Sequence, residues 1–136
     1  MAQHCDRFSG LAHLEDQEDG ETAILLDPLT YTTKDGWVIT VPTGEFTDFA
    51  SIPRLLWTLI PPRGVYNRPA IIHDYLYKHA PFDHLMVACS RLRADYILRE
   101  ACENCDDRFS QRWMIYWGVR SGGWKPWNKY RANPKL

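Results

Sequence analysis

His73 and Asp74 stand side by side in Ile71-Ile72-His73-Asp74-Tyr75-Leu76-Tyr77, a stretch that is otherwise apolar or aromatic. An imidazole and a carboxylate in such surroundings each need a partner or a ligand to be tolerated. Two further acids sit in similar settings: Asp48 in Phe46-Thr47-Asp48-Phe49-Ala50-Ser51-Ile52-Pro53, and Asp95 shortly after Arg91 and Arg93. Nitrogen and oxygen donors of this kind suit Zn or Mn, and a metal with an open position would lower the pKa of a bound water to make a nucleophile. The expected ligands are His73, Asp74 and Asp95, with Asp48 as a fourth ligand or a base. In a metal-free alternative His73, held by a carboxylate, is the general base, and Ser51 or Tyr77 the nucleophile or proton donor. The catalytic candidates are therefore Asp48, His73 and Tyr77. No Gly-x-Ser-x-Gly elbow activates Ser51, whose hydroxyl suits a helix N-cap. A third reading involves no chemistry: Asp74 or Asp95 pairs with Arg54, Arg91 or Arg93, His73 satisfies a backbone carbonyl, and the group ties a loop to helices as a buried polar network.

The elements that must position these residues follow from pattern and punctuation. Residues 1–21 form a polar lead-in broken by Ser9-Gly10 and Asp19-Gly20. Ala23-Ile24-Leu25-Leu26, Leu29-Thr30-Tyr31-Thr32 and Trp37-Val38-Ile39-Thr40-Val41 are β-prone, and Lys34-Asp35-Gly36 between the last two is a turn signal. Thr47 to Arg54 predicts an irregular loop entering a short helix, which Asp48 or Ser51 would cap and Pro53 would suit, and Pro61-Pro62-Arg63-Gly64 stops it. Pro69 starts a helix that carries the His-Asp pair, with Tyr77 on the same face as His73 and Asp74. A second helix is expected from near Met86 or Ser90 to Glu103, with Arg91 and Asp95 one turn apart. A third is expected from Phe109 to Val119, stopped by Gly122-Gly123. The tail from Trp124 shows no periodicity, although its aromatics would strap it across the body or dock it on a partner. A β-rich half followed by successive helices predicts an α+β fold, with about three helices on one face of a small antiparallel sheet. Residues 22–123 make one globular domain in this reading, and 124–136 an aromatic, basic tail.

Composition excludes several classes. A chain of 136 residues with 45% hydrophobic content can bury a real core as one domain. Its net charge of −1 supplies no overall field toward nucleic acid or anionic lipid. The charge is uneven, acid-rich from Asp6 to Glu21 and basic through Lys125, Lys129, Arg131 and Lys135. No run approaches the ~20 apolar residues of a membrane span, and the N-terminus shows no secretory signal, so synthesis in a cytoplasm is expected, from which the chain could leave as part of a larger assembly. No phosphate-cradling glycine loop or dinucleotide fingerprint is present. Cys102 and Cys105 make a CxxC spacing, read as incidental thiols in preference to a zinc knuckle with His79 or His84 or to a redox pair, since this CxxC closes a helix.

Four motifs in order, Val41-Pro42-Thr43-Gly44-Glu45-Phe46-Thr47-Asp48-Phe49-Ala50-Ser51-Ile52-Pro53, Ile72-His73-Asp74-Tyr75-Leu76-Tyr77, Arg93-Ala94-Asp95 and Tyr116-Trp117-Gly118-Val119-Arg120-Ser121-Gly122-Gly123, carry a resemblance. Over residues 22–124 the chain resembles a family of small phage and prophage proteins of unknown function. The resemblance implies that Asp48, Ser51, His73, Asp74, Tyr77, Asp95 and Arg120 belong together, and it implies a phage setting among virion, tail or lysis genes, so that the cytoplasm of synthesis is a host's and the larger assembly a virion or tail. Two functions are then expected. One is a metal-dependent hydrolase acting on the bacterial envelope. The other is a virion or tail component, partnered by other particle proteins, whose His/Asp cluster is structural. A host-directed inhibitor is a third, resting on size and origin alone.

Overall fold

The computed structural model describes residues 6–20, 22–47, 67–105 and 109–132. Among them six short strands precede four helices: β1 (Phe8–Ser9), β2 (Leu14–Asp16), β3 (Ala23–Leu25), β4 (Leu29–Thr32), β5 (Val38–Val41), β6 (Phe46–Thr47), α1 (Asn67–His79), α2 (Arg91–Cys105), α3 (Phe109–Gly122) and α4 (Trp124–Ala132). The fold is α+β, as the sequence predicts. The one small sheet expected is two antiparallel sheets of three strands, ordered β1-β4-β5 and β2-β3-β6. The loop and short helix read into residues 48–64 lie outside the described residues.

The predicted hairpin forms at Lys34-Asp35-Gly36. Gly36 takes a φ of +95°, which costs glycine nothing, and its amide closes the turn on the Thr33 carbonyl. Leu29 then faces Val41 and Tyr31 faces Ile39 across the ladder, so one face of the pair is entirely buried. The polar lead-in contributes more than expected. Phe8 pairs with Tyr31 and Leu14 with Leu25, so two apolar side chains suffice to recruit edge strands onto both sheets.

The sheet residues Leu25, Leu29, Tyr31, Ile39 and Val41 join Ile71, Ile72, Leu76, Ile97, Leu98, Ile115 and Val119 of the helices in one core. Each such side chain contributes about 1.5–3 kcal/mol through the area it removes from water. Ser90 caps α2, its hydroxyl accepting from the Arg93 amide at 3.1 Å. In the fold α1 is central, contacting β5, β6, α2 and α4, and it is buried without interruption from Pro69 to Asp74.

The tail from Trp124 is helical. Trp127, Tyr130 and Arg131 share a face at i, i+3, i+4, and Pro126 falls in the first turn, where its missing amide is harmless. Trp127 meets the edge of Tyr77 with ring centres 5.3 Å apart. Arg131 stacks on Trp127 at 4.3 Å and donates to the Tyr77 and Lys78 carbonyls at 2.6 and 2.7 Å, capping the C-terminus of α1.

Candidate buried polar site

Helical spacing places His73 and Tyr77 one turn apart on α1, with ring centres 4.2 Å apart. Both point at Asp95 on α2. The His73 Nε2 lies 2.7 Å from Asp95 Oδ1, and the Tyr77 hydroxyl donates to the same oxygen at 2.6 Å. The second oxygen is taken from the other side: Arg120 of α3 donates to Oδ2 at 2.7 Å, and Arg91, one turn before Asp95, reaches it at 3.5 Å. Because a carboxylate only accepts, the His73 nitrogen facing it carries a proton. Four donors thus fill the roughly four acceptor directions of one carboxylate, and both His73 and Asp95 have 0% exposure.

The arginines extend the group beyond Asp95. Arg91 also donates to the Val119 carbonyl at 3.0 Å and to the Arg120 carbonyl at 3.4 Å, so α2 begins where α3 ends. Both carbonyls lie in the last turn of α3, where helical partners run out; that of Val119 also accepts from the Gly123 amide at 2.8 Å. Gly123, at the α3–α4 corner, sits over the Tyr77 hydroxyl, and a Cβ there would collide with that hydroxyl and with the Val119 carbonyl oxygen. Only glycine lets the corner close on the site.

Burial pushes the Asp95 carboxyl up, but hydrogen bonds from His73, Tyr77 and Arg120 outweigh it and hold the group below the usual carboxylate range. The Tyr77 phenol is raised, by burial first and then by the Asp95 charge and the bond to it. In its resting form the site is a carboxylate held by cationic and neutral donors.

Other candidates lie elsewhere. Asp74, though adjacent to His73, is a separate buried carboxylate whose Oδ2 is 3.7 Å from the Lys78 ammonium. Arg93 leaves the site altogether and pairs with Asp35 at the β4–β5 turn. Asp48, Ser51 and Arg54 fall outside the described residues. Of the expected metal ligands His73 and Asp95 meet, whereas Asp74 keeps its own partner. Among the described residues no group of three or more His, Cys, Asp or Glu side chains is arranged to hold a metal.

The CxxC cysteines have different fates: Cys102 keeps its thiol in the core, whereas Cys105 takes part in a disulfide. His79, a possible zinc partner for them, is bonded to Glu45 at 2.6 Å. The sequence signalled Arg91 through its i, i+4 spacing from Asp95, and Arg120 only through the resemblance. Nothing in the local pattern marked Gly123 as more than a helix stop. A family model described as "Protein of unknown function (DUF1353)" matches residues 23–119. No curated protein and no solved structure matches the chain.

Proposed function

The chain belongs to the DUF1353 family, and from its buried site we propose that it is a phage-encoded component of the virion or tail in which His73, Asp74 and Asp95 hold the fold together. One observation carries this reading: both oxygens of Asp95 are filled by His73, Tyr77, Arg91 and Arg120, donors drawn from three helices, with no exposure to solvent. A metal would have to displace an arginine from the very carboxylate expected to bind it. Networks of this kind specify one arrangement of helices, as a subunit that must present a fixed surface requires. The phage setting itself rests on the resemblance of the four motifs.

The test is to produce particles from a phage or prophage carrying the gene and to follow the full chain through density-gradient purification. Co-sedimentation with particles at a fixed stoichiometry is expected; absence from purified particles rejects the reading.

A second reading, a metal-dependent hydrolase acting on the bacterial envelope, draws on the His73–Asp95 contact. A buried carboxylate 2.7 Å from an imidazole nitrogen fixes the tautomer and orientation that a general base or a histidine ligand needs. This reading expects about one equivalent of Zn or Mn in the purified chain, and a rise in melting temperature when metal is returned to a chelated sample. A chain that purifies without metal and melts unchanged with Zn or Mn leaves the structural reading standing.

A further inference from the structure

Between α1 and α2 the chain makes a small closed loop whose tip is apolar. Phe82, Leu85, Met86 and Val87 are 65%, 68%, 76% and 59% exposed, a contiguous cluster that core packing does not use. The loop is built to hold them there. Phe82 bridges to Ala88, the Asp83 amide donates to the Val87 carbonyl, the Met86 amide to the Asp83 carbonyl, and the Cys89 amide to the Pro81 carbonyl. The Asp83 carboxylate accepts from the Leu85 and Val87 amides at 2.8 and 2.9 Å. Met86 sits at a φ of +61°, a conformation that costs a non-glycine residue energy and that asparagine would occupy more cheaply.

We propose that this tip, with the α3–α4 corner beside it, docks the protein on an anionic lipid surface. Three features distinguish lipid from a protein partner. First, the exposed side chains of the tip are aliphatic, aromatic or thioether, the kind that leave water for hydrocarbon favourably. Second, the amides of Asp83, Leu85, Met86, Val87 and Cys89 are satisfied inside the loop; backbone groups entering an apolar phase must carry their own partners, whereas a protein partner could have supplied them. Third, the neighbouring helices supply interfacial chemistry. Arg91 and Gly123 bring the start of α2, the end of α3 and the start of α4 to the same end of the bundle as the loop. There Trp117 and Trp124 are about half exposed or more. Residues 109–132 carry no acidic residue; with Arg120 held by Asp95 and Arg131 by the end of α1, Lys125 and Lys129 of α4 are the cations offered to headgroups. Tryptophan suits the headgroup layer, and lysine and arginine suit anionic headgroups. None of this requires a span, and among the described residues no helix is long and apolar enough to cross a membrane.

The test is sedimentation of the full chain with vesicles of phosphatidylcholine alone or of an equimolar mixture with phosphatidylglycerol. Binding to the anionic vesicles, weakened by salt, is expected. Met86→Asn combined with Leu85→Ser should weaken that partition by about tenfold or more through lost apolar area, and Lys125→Glu with Lys129→Glu by a similar factor through lost attraction. Met86→Asn suits the left-handed backbone better than methionine, so loss of binding cannot be blamed on unfolding once its melting temperature is seen to hold. No sedimentation with anionic vesicles at low salt, or unchanged sedimentation of the Leu85/Met86 variant, overturns the proposal. So does particle binding that depends on the tip in a chain indifferent to vesicles.

Discussion

Asp95 and Asp35 are both aspartates held by an arginine and a hydroxyl, and both titrate below the usual carboxylate range. Asp95 is sealed between three helices, with burial opposing its charge and the hydrogen bonds of His73, Tyr77 and Arg120 overcoming that opposition. Asp35 sits at the tip of the β4–β5 hairpin with its side chain 51% exposed, held by the Thr33 hydroxyl and then by Arg93. The same chemical pairing therefore has two different energetic meanings. Water already solvates Asp35, so its partners gain little over solvent, whereas Asp95 has no solvent to return to.

The sharpest break between them is truncation. Asp95→Ala should cost about 3–5 kcal/mol, because Arg120 and Arg91 would face each other with no anion between them, measured by urea unfolding with the slope checked for two-state behaviour. The pH dependence has a definite sign. With its folded pKa depressed, Asp95 contributes stability that is present above the ordinary carboxylate value of about 4 and lost as pH falls through the lower folded value. Wild type minus Asp95→Asn should therefore shrink below pH ~4 and stay level above it. A difference that persists unchanged well into acid would mean the carboxylate is not the group being stabilised.

Gly123→Ala comes next, at about 2–3 kcal/mol, since the added methyl meets the Tyr77 hydroxyl and a backbone carbonyl. Adding Tyr77→Phe to it should recover part of that loss by removing one of the two obstacles. Alone, Tyr77→Phe should cost about 1.5–2 kcal/mol, one hydrogen bond to a charged acceptor. If the double variant is no better than the sum of the two, the corner does not close on the hydroxyl.

How much of this was legible follows from the range of the physics. Hairpin turn, helix start near Ser90, i, i+4 spacing of Arg91 and Asp95, and shared face of His73 and Tyr77 are local, and periodicity carries local information well. The meeting of His73 with Asp95 was expressible only as residue types in apolar surroundings, because it depends on how α1 crosses α2. Arg120 lies 25 residues beyond Asp95, and no spacing rule reaches that far. Gly122-Gly123 reads locally as a helix stop; the second glycine is also a contact surface, which only the neighbouring Tyr77 explains. The strands of the lead-in and α4 were missed for a related reason. Each rests on two or three side chains, Phe8 and Leu14 in the first case, Trp127, Tyr130 and Arg131 in the second, whose stability comes from tertiary docking and not from their own propensity.

The smallest effect belongs to Asp35. Arg93 contacts both of its oxygens, at 2.8 and 2.7 Å, geometry good enough that counting ion pairs would rank it beside Asp95. Exposure decides otherwise. Salt and water screen the pair, and holding the arginine in place costs side-chain entropy, so Asp35→Ala should lower stability by under about 1 kcal/mol. The hairpin keeps its register without it, since the Thr33 hydroxyl still accepts from the Trp37 amide at 2.9 Å and Gly36 still turns the chain. A double-mutant cycle of Asp35→Ala with Arg93→Ala isolates the interaction, and its coupling should fall as salt rises toward 1 M, where the screening length is about 3 Å. A coupling above about 2 kcal/mol that ignores salt would place the turn in the same regime as the helix core, and burial would no longer be what separates the two aspartates.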